Sequence, residues 1–139
     1  MASVNTQFSI AVHLLAGIAS RDGLVTSEAL SMSVNTNQAF VKRVLAKLSA
    51  ASLIRTVSGK LGGCELAKKP RDISLLDVYQ AIEAPGTFAI HQYPAVKSCQ
   101  VSSNIKAVLG GVLESAQKSF EKDLDRTTIA DVVARLGFT

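Results

Sequence analysis

The chain has 139 residues, enough for one compact domain with one appended element. Apolar residues make up 47% of it, which argues against a disordered chain, while aromatics at 5% and the lack of tryptophan leave Leu, Val, Ile and Ala to fill a core. The formal charge of +4 is concentrated before about residue 72, a distribution open to two readings: solubilising charge or a nucleic-acid footprint.

Met1 to Gln7 is polar and carries no basic, apolar, cleavable signal, and no apolar run approaches the roughly 20 residues of a membrane span. The two cysteines, Cys64 and Cys99, are too few for a secreted disulfide scaffold, so the expected location is cytoplasmic. From Thr6 to Ser20, Phe8, Ala11, Val12, Leu15, Ile18 and Ala19 recur at helical spacing, and Asp22-Gly23 stops the helix with a turn. Thr26 caps a second, short helix that carries Glu28 in its first turn, buries Ala29 and Leu30 and ends near Ser33. Asn35 is the expected cap of a third helix to about Ser52, with Phe40, Val41, Val44, Leu45 and Leu48 as its inner stripe.

Leu53 to Val57, the glycine-rich run Ser58 to Gly63, and Cys64 to Ala67 together read as a β-hairpin. Beyond Pro70, Ser74 caps a helix with Leu75, Leu76, Val78, Tyr79 and Ile82 as its apolar positions. The stretch Ala84 to Gln100 has no sustained period and reads as a loop. A long helix from Ser102 or Ser103 carries Ile105, Val108, Leu109, Val112, Leu113, Ala116, Phe120 and Leu124 on one side. Thr127 or Thr128 caps a last short helix through Leu136.

Three helices and a two-stranded hairpin, in this order, predict a mainly α (α+β) fold: a winged helix-turn-helix with a long C-terminal dimerisation helix. In such folds the third helix enters the major groove of DNA and the wing reaches a neighbouring groove or the phosphates. The face of the third helix opposite its apolar stripe carries Asn35, Thr36, Gln38, Lys42 and Arg43, with small Ala39 and Ala46 between them. Amides and Arg can read base edges, and hydroxyls and Lys suit phosphates. Candidate DNA-binding residues are therefore Thr26, Ser27, Asn35, Thr36, Asn37, Gln38, Lys42, Arg43 and Lys60; the same residues would also suit a plain solvated face.

The stretch from Ser27 to Glu83 resembles the Rrf2 family of bacterial winged-helix regulators. Ser58-Gly59-Lys60-Leu61-Gly62-Gly63 followed by Cys64-Glu65-Leu66-Ala67 is similar to that family's Arg-Gly-x-x-Gly-Gly-Tyr-x-Leu-Ala wing signature. Ile73 to Val78, continuing to Ala81-Ile82-Glu83, is similar to the helix that follows it. Ser33-Val34-Asn35-Thr36-Asn37 and Phe88-Ala89-Ile90-His91 resemble the YwnA-like branch. The resemblance implies a DNA-binding regulator, but Ser58 stands where the family has its wing arginine and Cys64 where it has a tyrosine. Lys60 is then the better wing contact.

Cluster-binding relatives carry three closely spaced cysteines in the loop before the long helix. Here that loop holds Cys99 alone, so no iron–sulfur cluster and no cofactor are expected. A metal site from His91 and Cys99 has too few ligands at too loose a spacing. Cys99 lies near the positive end of the long helix and follows Lys97, both of which favour the reactive thiolate, and the resemblance implies thiol redox sensing there. An inert buried cysteine is the alternative, and for Cys64 it is the preferred reading. His13, off the main stripe of its helix, is a surface or interface residue.

The stripe of the long helix exceeds what a small domain needs. Gly110-Gly111 in its middle costs about 1–2 kcal/mol of helix propensity, a cost consistent with close approach of a second helix in a homodimer. The expected organisation is residues 1–83 as the DNA-binding domain, 84–101 as a sensor or linker loop, and 102–139 as the dimerisation element. The expected partner is an operator in double-stranded DNA, bound by a repressor without membrane association. Two rivals are a winged helix that binds protein or RNA, against which the basic third-helix face argues, and a thiol enzyme. No Cys-x-x-Cys, Cys–His pair or carboxylate pair supports catalysis.

Overall fold

A computed structural model describes residues 6–137. Their elements are α1 (Gln7–Ala19), α2 (Ser27–Val34), α3 (Gln38–Ala50), β1 (Ile54–Val57), β2 (Gly63–Leu66), α4 (Leu75–Ala81), α5 (Gln100–Leu124) and α6 (Ile129–Arg135), with a 3-10 turn at Pro70–Asp72. By their contacts they form two units, one from the residues up to Ala84 together with those from Leu124 onward, the other Pro85–Asp123.

The first unit is a winged helix built on helical periodicity. Ala11, Leu14, Leu15 and Ile18 of α1 meet Leu30 of α2, Val41, Val44 and Leu48 of α3, and Val78 of α4 in one buried cluster. Each fully buried leucine or isoleucine there contributes about 1.5–3 kcal/mol. β1 and β2 pair antiparallel, Ile54 opposite Leu66 and Thr56 opposite Cys64. Val25 joins them through a reciprocal pair of backbone hydrogen bonds with Cys64, 2.9 and 2.8 Å, which ties the wing to the start of α2. Only glycine fits at position 63, because an added Cβ would stand 2.8 Å from the Val25 carbonyl oxygen.

Helix ends follow local chemistry, with one correction. Thr26 caps α2 as expected, its hydroxyl accepting from the Ala29 N–H. Asn35, however, does not cap α3. It takes the left-handed conformation (φ 68°) that closes α2, and both its own N–H and that of Thr36 donate to the Ser31 carbonyl. The cap of α3 is Asn37, whose side-chain oxygen accepts from the Phe40 N–H at 2.7 Å. Asparagine tolerates the left-handed region better than most residues, so it can end a helix as well as start one. Ser52 does for α3 what Asn35 does for α2. At φ 63° it reverses the chain, the Leu53 N–H reaches back to Leu48 O, and Leu53 turns into the core.

The last short helix also departs from expectation. Grouped by sequence with the long helix, α6 instead packs into the first unit, with Ile129 fully buried among the core residues. Its entry pairs with the entry of α4. The Leu75 N–H donates to Thr127 O, and the Ile129 N–H donates to Ile73 O. Ser74 with Asp77 and Thr128 with Asp131 form two reciprocal capping boxes at this seam. Hydrogen bonds from the Thr128 backbone and hydroxyl hold the Asp131 carboxyl below its ordinary pKa.

In the second unit, α5 begins at Gln100, ahead of the expected start at Ser102 or Ser103, and none of its residues is buried. The preceding loop runs without regular structure to Cys99. Thr87 donates through its backbone and hydroxyl to Gln117 Oε1, and Ser102 Oγ accepts from the Val96 N–H. An added Cβ at Gly110 would touch Ile90 of that loop, whereas one at Gly111 would meet open space.

Candidate nucleic-acid interface

Burial divides α3 as its sequence pattern predicts. Val41, Val44, Leu45 and Leu48 face the core, and Gln38, Ala39, Lys42, Arg43 and Ala46 are exposed. The start of α3 is tied to the start of α2 by a hydrogen bond from Gln38 Nε2 to Ser27 Oγ at 2.9 Å. This cross-link holds the two helices of the helix-turn-helix at their solvent ends. The Arg43 guanidinium lies 5.4 Å above the Phe40 ring, a cation–π contact that fixes its stem and leaves its charge outward.

A hollow of about 860 Å³ opens between α3, the start of α2 and the wing. Thr26 and Ser27 line one side, Lys42 and Ala46 the second, and Ser58, Gly59 and Lys60 the third. Residues separated by more than thirty positions thus bring two lysines and several hydroxyls to one concavity. Among the described residues neither lysine has a carboxylate partner, whereas Arg55 on the wing is held by Glu65 at 3.3 Å. Unpaired lysines around a concave, hydroxyl-lined surface suit a chain of phosphates.

Of the nine candidate residues, Thr26, Ser27, Lys42 and Lys60 line this hollow, and Gln38 joins them through Ser27. Asn35, Thr36 and Asn37 form the turn between α2 and α3, where two of the three serve as helix ends. Arg43 is exposed on α3 without lining the hollow. Sequence reading passed over Ser49 and Thr56, which also line it. Strand alternation at Thr56 and helical spacing from Lys42 to Ser49 were the signals present, but only the tertiary fold turns both toward one space.

The cysteines occupy opposite environments. Cys64 is 3% exposed in the core cluster, and burial pushes its thiol pKa up against a smaller downward pull from a Thr56 hydrogen bond. Cys99 is exposed at the residue before α5, and its sulfur accepts from the Ser102 N–H at 3.4 Å. Among the described residues, no three His, Cys, Asp or Glu side chains converge to hold a metal. No described helix is long and apolar enough to cross a membrane.

A basic third helix and a wing around one concavity define a winged helix-turn-helix transcription regulator, a DNA-binding class and not an enzyme. The chain belongs to the Rrf2 family, whose model, described as "Iron-dependent Transcriptional regulator", matches residues 4–135. It is 36% identical over 134 residues to YwnA of Bacillus subtilis, classed among the HTH-type transcriptional regulators, with 96% of this chain and 98% of that protein covered. A transcriptional regulator from Lactobacillus plantarum, known by its crystal structure, superposes with a TM-score of 0.81 at 26% identity, covering 94% of this chain and 89% of that one. IscR of T. potens shares the fold at a TM-score of 0.73 and 24% identity, over 98% of this chain and 89% of that one. The family description names iron, and the chain has two cysteines, both free. The loop before α5 offers one thiol, and the second cysteine is shut into the core of the other unit.

Proposed function

We propose that this protein is a homodimeric repressor that occupies a pseudo-palindromic operator, with α3 in the major groove and the wing at a neighbouring groove or its phosphates. The observation that carries this reading is the hollow that gathers Lys42 from α3, Lys60 from the wing and the α2 entry around one surface. The dimer is argued from α5. Val101, Ile105, Val108 and Val112 recur at spacings of four, three and four along it, all of them exposed. Pairing this stripe with that of a second copy would bury it and set two α3 helices about one DNA turn apart.

The binding test uses Lys42→Ala and Arg43→Ala against duplex DNA, measured by fluorescence anisotropy across a salt series. Both side chains are exposed, so folding is expected to be unchanged. Removing a side chain that holds a phosphate weakens binding to all sequences and lowers the salt slope by about one. Removing one that reads a base edge instead relaxes discrimination by about 1–3 kcal/mol. Wild-type binding in both variants would remove α3 as the reader.

Regulation is assigned to Cys99, without a cluster. Peroxide oxidises an exposed thiol by two electrons to a sulfenic acid, with release of water, and a second thiol then condenses with it to a disulfide, releasing a second water. Burial of Cys64 leaves Cys99 of the second copy, or a small free thiol, as that partner. Protein purified without oxygen is expected to be colourless and free of stoichiometric iron, and to lose operator affinity on mild oxidation. Cys99→Ser is expected to abolish that loss. Oxidant sensitivity surviving the substitution, or brown protein whose visible absorption it removes, would defeat the assignment.

A further inference from the structure

The wing ends in a tight turn. The Gly62 N–H donates to Gly59 O at 3.0 Å, which places Lys60 and Leu61 at the two central corners. Glycine is required on both sides of this pair. Gly59 sits at φ +103°, and a Cβ at Gly62 would overlap the Val57 carbonyl oxygen. The turn therefore has little freedom to withdraw either side chain, and Leu61 is 90% exposed, more than any other exposed large apolar side chain described. Its neighbours in the turn are Lys60 and Gly62, so no apolar side chain adjoins it along the chain. Its neighbours Gly59, Lys60 and Gly62 line the hollow described above, which places the wing tip beside that hollow.

A lone leucine at the tip of a two-stranded ribbon, paired with an unpartnered lysine, has the shape and charge to enter the minor groove. That groove is about 6 Å wide and carries enhanced negative potential where it narrows. Proteins that work there insert apolar side chains at base steps, and opening a step costs least at flexible pyrimidine–purine steps. We propose that Leu61 is a DNA contact: an apolar wedge on the wing that enters the minor groove beside Lys60 and makes binding depend on the deformability of the base step beneath it. The proposal rests on the DNA-binding reading above and adds a residue that recognises shape, at a wing where Ser58 offers no charge.

The test begins with duplexes enriched from a randomised pool by the wild-type protein. Leu61→Ala is expected to bind the enriched duplex about tenfold more weakly (about 1.4 kcal/mol) with an unchanged salt slope, because an apolar contact releases no counterions. Repeating the enrichment with Leu61→Ala is expected to flatten the preference at the flanking steps, and Leu61→Met to restore most of both. Lys60→Ala provides the contrast, lowering the salt slope by about one. Wild-type affinity and step preference in Leu61→Ala, alongside weakened binding by Lys42→Ala, would overturn the wedge while leaving the DNA reading intact. A change in sedimentation without a change in DNA affinity would make the tip a protein contact and equally overturn it. If the wild-type protein enriches no sequence, the DNA-binding reading fails and the wedge with it.

Discussion

Val112→Asp is expected to turn the protein into a monomer and to abolish operator binding at concentrations where the wild type is saturated. α5 has 25 residues, a rod of about 37 Å, and not one of them is buried. Val112 is 57% exposed and Val108 64% exposed, on the same face and one turn apart. Gly111, beside Val112, leaves open space where a side chain would stand, as close approach of a second helix requires. Within a single chain the aspartate remains solvated and costs little, so helix content by circular dichroism is expected to match wild type. Across a dry seam the same carboxylate is an unpaired buried charge, a penalty of several kcal/mol. Separated reading heads would also lose the effective-concentration gain that joins two half-sites, about 10²–10⁴ in affinity. Sedimentation velocity with operator titration checks both effects. A variant that remains dimeric at micromolar concentration would place the dimer seam elsewhere.

Ile129→Ala is expected to destabilise the DNA-binding unit by about 2–5 kcal/mol, although Ile129 follows the long helix in sequence and lies far from α3 along the chain. Its side chain is fully buried with Ile73 and Val78 in the core cluster, and its N–H is spent on Ile73 O. Removing three carbons there leaves a cavity at the seam where the entries of α4 and α6 pair. For a unit of this size the expected fall in Tm is about 10 °C or more. Thermal unfolding of the full chain followed by circular dichroism is the measurement. A loss below about 1 kcal/mol would show that α6 is peripheral and that the DNA-binding unit is complete by Glu83.

These two variants mark where local and non-local information part. The helix order, the hairpin, the Thr26 and Ser74 caps and the division of α3 into a core face and a polar face were legible in the residues, because each depends on near neighbours along the chain, within about four positions for the helices and at most 12 across the hairpin, from Ile54 to Leu66. The choice between Asn35 and Asn37 was not. Both are good caps, and the decision came from the Ser31 carbonyl, which two N–H groups share once the chain reverses at Asn35. The candidate site divides in the same way. Lys42 and Arg43 could be placed on an exposed face from helical spacing alone, but their relation to Lys60, Thr26 and Thr56 is a matter of how the wing folds back over α3.

The sequence by itself determined the fold class, the family and the exposed polar face of α3, since periodicity, turn glycines and the wing motif are local records of backbone conformation. Tertiary structure decided three further points: α6 returns to the first unit, Cys64, for which burial was already the preferred reading, packs beside Val25, and Leu61 stands exposed at the wing tip. The physical reason is common to all three. Burial is a property of what lies opposite a side chain in space, and the residues opposite Ile129 and Cys64, Ile73 and Val25 among them, are dozens of positions away along the chain.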